Sequence, residues 1–355
     1  MRIIIKIGSN LLQTSEGDID LSFISDLARS VKSLRGKGDD VILVSSGAVL
    51  CGTKKMKAPK PSDLKTRQAL AGIGQAYLMH IYDSVFSNYG LTVGQVLLTN
   101  DIFMKGNEDR LKNARSTIEK MLEMGVVPVI NENDTVAVSE LIFGDNDFLA
   151  SYVGFMMGAD LLVILSSAGG LLDQEGRVIP QVESVEEAFS LVKGAGSEFG
   201  SGGMRSKLEA TRLATAIGIT VVITGKNDDL ISVRNLITRG TLFKPSRKRV
   251  RERQKFIAMV EESKGVVYID EGAVRALREG MSLLPAGVVG AEGNFRAGDI
   301  ITVAGPRGIP IGKGKTNFSR EDLDQIMGKR GTEVKEILKT TREEVIHRDN
   351  LVVFL

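Results

Sequence analysis

The chain has 355 residues, with 46 Lys and Arg against 44 Asp and Glu, a formal charge of +2. A hydrophobic share of 43% with 25% charged residues allows a sizeable buried core, so disorder does not dominate. At roughly 100–200 residues per domain this predicts two domains, three at most, and the near-neutral charge carries no global mark of a nucleic-acid binder. One cysteine, Cys51, and two histidines far apart, His80 and His347, exclude an internal disulfide, a Cys or His zinc site and a catalytic triad needing a spare imidazole. A metal here would be a hard cation on oxygen ligands, magnesium brought with a nucleotide. The opening MRIIIKIGSN is too short an apolar run for a signal peptide, and no stretch approaches about 18–20 apolar residues. The expectation is a reducing cytoplasm and no membrane span.

Short apolar, largely β-branched runs stand at 2–7, 41–45, 92–98, 126–131, 160–166 and 219–224, the pattern of strands buried on both faces of a parallel sheet. Between them, Leu21, Ile24, Leu27, Ala28, Val31 and Leu34 fall on one helical face, and 66–88, 107–124, 146–157 and 204–217 are further helix candidates. Residues 1–245 therefore predict an α/β three-layer sandwich around a mainly parallel sheet. A basic run follows, with seven Lys or Arg in 244–255; it is a phosphate-binding strip or a solvated linker, and 246–261 is taken as a linker. Short strands with Gly-rich turns come next, at 256–260, 265–269, 299–303 and 309–313, predicting a smaller, mostly β domain over 262–343 and a tail over 344–355.

Ligands of open α/β sheets bind beyond the carboxyl ends of the strands. After the first strand come Lys6, Gly8 and Ser9, a point charge and a tight turn able to present N–H groups to a phosphate, or simply a solvated strand-end lysine. After the second come Ser45, Ser46 and Gly47 leading into a helix, an anion-binding geometry or a plain cap. After the strand near 126–130, Asn131-Glu132-Asn133-Asp134 places four polar residues where a core would not, fitting a substrate-reading loop with Asp134 as a partner for an amino group. Gly144-Asp145-Asn146-Asp147 opens a helix, and its acids serve as dipole stabilisation or hold magnesium or a lysine. Residues 200–207 place a Gly-rich loop before a helix expected from about Met204, with Lys207 in its first turn, a strong phosphate-binding arrangement. No GxGxxG is present, and the only G-K-[ST], Gly314-Lys315-Thr316, has Ile309 where a Walker loop needs glycine.

The segments KIGSN (6–10), SSGAV (45–49), RQALAGIGQ (67–75), VPVINENDTV (127–136), GDNDFLA (144–150) and SGGMRSK (201–207) together resemble the amino-acid kinase superfamily and, within it, the glutamate 5-kinase family. GVVYIDEGAVRAL (265–277), SLLPAGVVGAEGNFRAGD (282–299) and GKGKTNFS (312–319) resemble the PUA domain that many bacterial members carry. The resemblance implies transfer of the ATP γ-phosphoryl group, with Mg2+, to the side-chain carboxylate of L-glutamate, the first step toward proline. It implies Lys6, Asp147 and Lys207 as the catalytic set. Nucleotide contacts would come from Lys6, Gly8, Ser9, Ser166, Ser167, Ser201, Gly202, Gly203, Met204, Arg205, Ser206 and Lys207. Ser46, Gly47, Asp134 and Asn146 would bind glutamate. A homo-oligomer, proline as feedback inhibitor and glutamyl phosphate reductase as downstream partner are implied in the same way. Ser166-Ser167 depart from the family's usual Thr-Asp. A γ-carboxylate of ordinary pKa near 4.3 is already ionised at pH 7, so the nucleophile needs no general base. Other small substrates of the same fold (aspartate, N-acetylglutamate, carbamate, UMP) are the alternative, as is an RNA-binding role. Against RNA, the second domain offers only Phe295, Phe318 and Tyr268 for stacking.

Overall fold

Apolar β-branched runs have no polar face to leave in water, so they pair into a sheet covered on both sides. The computed structural model describes all residues except 104–105, 137–145, 186, 190–200, 246–262, 309 and 354–355, with backbone alone for Asn100, Ser201, Gly202 and Arg307. The first compact unit comprises Met1–Thr215 and Ile219–Pro245. Its strands are β1 (Arg2–Ile7), β2 (Asp40–Ser45), β3 (Thr92–Leu98), β4 (Val126–Glu132), β5 (Leu161–Leu165), β6 (Gln181–Val182), β7 (Thr220–Thr224) and β8 (Thr241–Phe243). They form one sheet in the order β3-β4-β2-β1-β5-β7-β8-β6, in which only the β7/β8 pair is antiparallel. β1 is central, with Ile5 in register with Leu43 and Val163.

The helices are α1 (Leu21–Gly36), α2 (Ala48–Met56), α3 (Leu64–Ser87), α4 (Glu108–Glu123), α5 (Asn146–Met157), α6 (Ser201–Ala216) and α7 (Leu230–Arg234). Asp20 and Asp63 cap α1 and α3 by accepting from the Phe23 and Thr66 N–H groups, each at 2.9 Å. Side chains alternate along a strand. Ile3, Ile5 and Ile7 of β1 join Ile24, Leu27 and Val31 of α1 and Leu78, Tyr82 and Phe86 of α3 in one core layer. Ile4 looks the other way, toward Gly154 of α5. Lys6 shares that second face, so β-strand parity alone aims it at α5. On the first face, α2 and α3 cross so closely that a Cβ on Gly74 would run into the Ala48 carbonyl oxygen, and one on Gly52 into that of Leu70. Cys51 lies in the same packed helix, and burial pushes its thiol up to about 11.

The second unit, described from Ser263 on, holds β9 (Gly265–Ile269), β10 (Val288–Gly293), β11 (Ile300–Ala304), β12 (Pro310–Lys315) and β13 (Leu351–Val353) in the order β10-β9-β11-β12-β13. Three helices accompany them: α8 (Glu271–Arg278), α9 (Arg320–Ile326) and α10 (Gly331–Leu338). The expected tail at 344–355 is corrected here: β13 pairs antiparallel with β12 and completes the sheet. Gly312 permits that pairing, because a Cβ there would stand 2.5 Å from the Val352 carbonyl oxygen. Phe295 and Phe318 are core residues, 1% and 4% exposed, and are not available for stacking on a base. The expected strand at 256–260 and the basic linker lie outside the described residues.

Candidate active site

Lys6 is not a solvated strand-end lysine. Its side chain is 1% exposed and its Nζ lies 2.6 Å from Oδ1 of Asp147, which is itself fully buried. Asp147 sits in the first turn of α5, where the helix dipole favours a carboxylate. Its other oxygen, Oδ2, accepts from Lys207 Nζ at 3.1 Å, and that ammonium also donates to the Gly203 carbonyl at 3.3 Å. One buried carboxylate thus holds two ammonium groups from β1 and α6. Gly8 flanks the first of them, a Cβ built there standing 3.6 Å from Lys6 Nζ.

The 201–207 segment differs from expectation. The helix starts at Ser201, not near Met204, so Gly203 to Lys207 occupy its opening turns. The N–H groups of Ser201 to Gly203 are among the four that an α-helix leaves unsatisfied at its start. Arg205 turns outward to Glu209 at 3.2 Å and does not join Lys207 at Asp147.

Two cavities open beyond the strand ends. The first, about 590 Å³, is lined by Ser9, Ser46, Gly47, Lys60, Arg67, Asn131, Glu132, Asp134 and Asn146 among others. Gly47 caps α2 at φ +114°, a left-handed conformation, and a Cβ on it would stand 2.5 Å from Leu12 Cδ1, so glycine is required twice over. Asn146, 8% exposed, donates through Nδ2 to Asn131 Oδ1 at 2.7 Å. Asn131 donates in turn to Gln75 Oε1 at 2.9 Å, and Gln75 to Gln95 Oε1 at 3.0 Å. The Glu132 backbone N–H donates to the same Asn131 Oδ1 at 2.9 Å. A backbone N–H can only donate, so it sets which Asn131 atom is oxygen and orients the whole amide chain. Burial, and then the charge of Asp134, push the Glu132 carboxyl up to about 7, against the opposing pull of Arg67. Burial likewise raises Asp134, again opposed by Arg67.

The second cavity, about 510 Å³, lies beyond β5 and β7 and is lined by Ser166, Ser167, Gly169, Thr224, Lys226, Asp228 and Arg239 among others. Lys226 Nζ pairs with Asp20 Oδ2 at 2.8 Å. Asp228 Oδ2 accepts from the Thr224 hydroxyl at 2.7 Å, the Thr238 hydroxyl at 2.6 Å and the Arg239 N–H at 3.0 Å, so this acid ties the wall together. Asn10 lines both cavities, which places their junction just past the end of β1.

A model of the amino acid kinase family matches residues 1–225, and a PUA domain model matches residues 265–338. A glutamate 5-kinase of Aquifex aeolicus (strain VF5) is 61% identical, with 100% of each chain covered. The chain belongs to the glutamate 5-kinase family. A second glutamate 5-kinase, from Bradyrhizobium sp. (strain BTAi1 / ATCC BAA-1182), is 42% identical over 99% of this chain and 96% of its own. A solved carbamate kinase from Giardia lamblia bound to AMP-PNP matches 69% of this chain and 98% of its own with a TM-score of 0.51, at 15% identity, a likeness of fold.

Within this glutamate 5-kinase scaffold, Ser9, Ser46, Gly47, Asp134 and Asn146 line the first cavity, Ser166 and Ser167 the second, and Lys6, Asp147 and Lys207 meet as a cluster. Gly144 and Asp145 lie outside the described residues, as do the side chains of Ser201 and Gly202. Reading strand ends missed Lys226 and Asp228, although the turn after β7 was open to the same rule, and missed Lys60 and Arg67, which come from helix α3 and the segment before it. Among the described residues no group of three His, Cys, Asp or Glu side chains could hold a metal ion. Both oxygens of Asp147 lie within ion-pair distance of an ammonium, so this donor set does not fit a resident metal cage.

Proposed function

We propose that this protein transfers the γ-phosphoryl group of ATP, delivered as its magnesium complex, to the side-chain carboxylate of L-glutamate, giving L-glutamyl 5-phosphate and ADP at the entry to proline biosynthesis. The observation that supports this most is the buried Lys6–Asp147–Lys207 cluster, whose Asp147 follows directly on Asn146 in the lining of the first cavity. An ionised carboxylate attacking a polyanionic phosphate needs its repulsion cancelled, not its proton removed. Two ammonium groups, held by one carboxylate before either reactant arrives, are preorganised positive potential of the kind that stabilises charge developing in flight. Lys6 serves the end of β1, where the two reactants meet. Lys207 serves the start of α6, whose N–H groups reinforce it at the transferring phosphoryl group. Asp147 makes no bond to either substrate in this scheme and acts as a positioning residue for both lysines.

Glutamate occupies the first cavity with Ser46, Gly47, Asp134 and Asn146 around it, and the nucleotide the second with Ser166 and Ser167. The product is an acyl phosphate, labile in water, so a reductase that consumes it is the natural next step. That hand-over, inhibition by proline, a homo-oligomeric state and a cytoplasmic location are part of the same proposal. No helix among the described residues is long and apolar enough to cross a membrane.

The test is ADP release with L-glutamate, L-aspartate, N-acetylglutamate, carbamate and UMP as acceptors. Turnover is expected with glutamate, and Asp134→Ala should raise the KM for glutamate far more than that for ATP. Turnover with another acceptor in preference to glutamate would refute the assignment.

A further inference from the structure

The first cavity carries more charge than the four assigned glutamate contacts use. Among the described residues its charged lining residues are Lys60, Arg67, Glu132 and Asp134, two of each sign. Glu132, two residues from Asp134, is half-buried as well, and burial and then the Asp134 charge raise its carboxyl against the pull of Arg67. Asn146 adds a further acceptor. Its Nδ2 spends one hydrogen on Asn131, whose orientation is set by a backbone N–H, and this fixes Asn146 Oδ1 as the acceptor that the side chain has to offer. Acceptors thus come from the end of β4 and the start of α5, and cations from α3 and the segment before it.

We propose that Glu132 is a third acceptor, beside Asp134 and Asn146, for the α-ammonium of the amino-acid substrate, and that Arg67 and Lys60 take its α-carboxylate. This rests on the glutamate assignment above and deepens it. An ammonium carries three N–H donors, and these three groups match that number. The arrangement selects a zwitterionic head: an N-acylated substrate has no ammonium to bring, and a dicarboxylate without an amino group would leave two acids facing each other.

A proton is exchanged in the process. In the free protein Glu132 titrates near neutral pH because it is buried beside Asp134. An arriving ammonium favours the ionised form, so the Glu132 proton leaves to solvent as the ammonium–carboxylate contact forms. Among the described residues, the charged groups sharing the cavity are Asp134 from the same turn, Arg67 from α3 and Lys60 from the segment before α3. Asn146 of α5, Ser9 and Ser46 bring only neutral polar groups. Glutamate capture therefore weakens below neutral pH, by up to about tenfold per pH unit, the limit for loss of one proton.

The experiment compares the full-length wild type with Glu132→Gln and Glu132→Asp, measuring kcat and KM for L-glutamate at saturating ATP from pH 6 to 8. It also measures proton release on glutamate binding, by calorimetry in buffers of different ionisation enthalpy. Expected for Glu132→Gln is a KM for glutamate raised about 10–100-fold, the loss of one charge-assisted hydrogen bond. The KM for ATP should hold, the pH limb of kcat/KM near 7 should vanish, and proton release should vanish with it. Glu132→Asp should restore part of the affinity and the limb. A wild-type KM and an unchanged limb in Glu132→Gln would overturn the role of Glu132. A wild-type protein that does not turn over glutamate would instead overturn the proposed reaction.

Discussion

Replacing Asp147 with asparagine separates a buried ion pair from a surface one. Lys6 and Asp147 are 1% and 0% exposed and their charged atoms are 2.6 Å apart. Asparagine keeps the shape but not the charge, which takes the Asp147 counter-charge away from the buried Lys6 ammonium. Removing one partner of a buried pair costs about 3–5 kcal/mol, because the surviving charge stays desolvated. Lys207, at 12% exposed, can recover hydration by a small movement and adds little. At about 2–4 °C per kcal/mol for a unit of this size, the first unit should melt some ~6–20 °C lower. The chain has no tryptophan and five tyrosines, of which Tyr77, Tyr82, Tyr89 and Tyr152 lie in the first unit, so near-UV circular dichroism of tyrosine follows the relevant transition. The double variant Lys6→Met with Asp147→Asn removes both charges and should regain most of the loss, giving a coupling energy of at least about 2 kcal/mol. A single variant melting with the wild type, or a double variant equal to the sum of the singles, would refute the claim that this contact is a desolvated pair.

Two further outcomes follow from the same geometry. Lys6→Ala and Lys207→Ala should each lower kcat at least about 100-fold, the scale for losing one preorganised charge partner, as read from ADP release with glutamate present; near-normal turnover would remove the assigned role from that lysine. Gly74→Ala should destabilise the first unit by about 1–3 kcal/mol, although alanine is the better helix former, because its Cβ meets the Ala48 carbonyl across the α2–α3 crossing. A denaturation midpoint equal to or above the wild type's would mean that the two helices can separate at no cost.

How much of this was legible before the structure depends on the residue. Lys6 stood out as a charge at the end of a β-branched run, and β-strand parity sends it to the face where α5 begins. Its burial was not visible, and the role of Asp147 in organising the lysines was implied by the family resemblance alone, since 140 residues of chain lie between Lys6 and Asp147. The polar Asn131–Asp134 turn marked itself by following a buried strand. Glu132 within it looked like any acid there, because what sets it apart is desolvation beside Asp134. Helices α8, α9 and α10 are seven or eight residues long, too short for a 3.6-residue period to emerge from a Gly-rich background. Strand β13 was read as a tail because three apolar residues near a terminus carry no periodicity, and only pairing with β12 turns them into structure.

The central position of β1 has an evolutionary corollary. Side chains lining the first cavity descend from β2, β4 and the start of α5 on one flank of β1, and those lining the second from β5 and β7 on the other. Apart from Asn10, which lines both, the two sets of lining residues are separated by β1. On the proposed assignment, one flank can vary while the other keeps its lining, which makes this sheet a chassis for grafting one enzyme's acceptor flank onto another's donor flank.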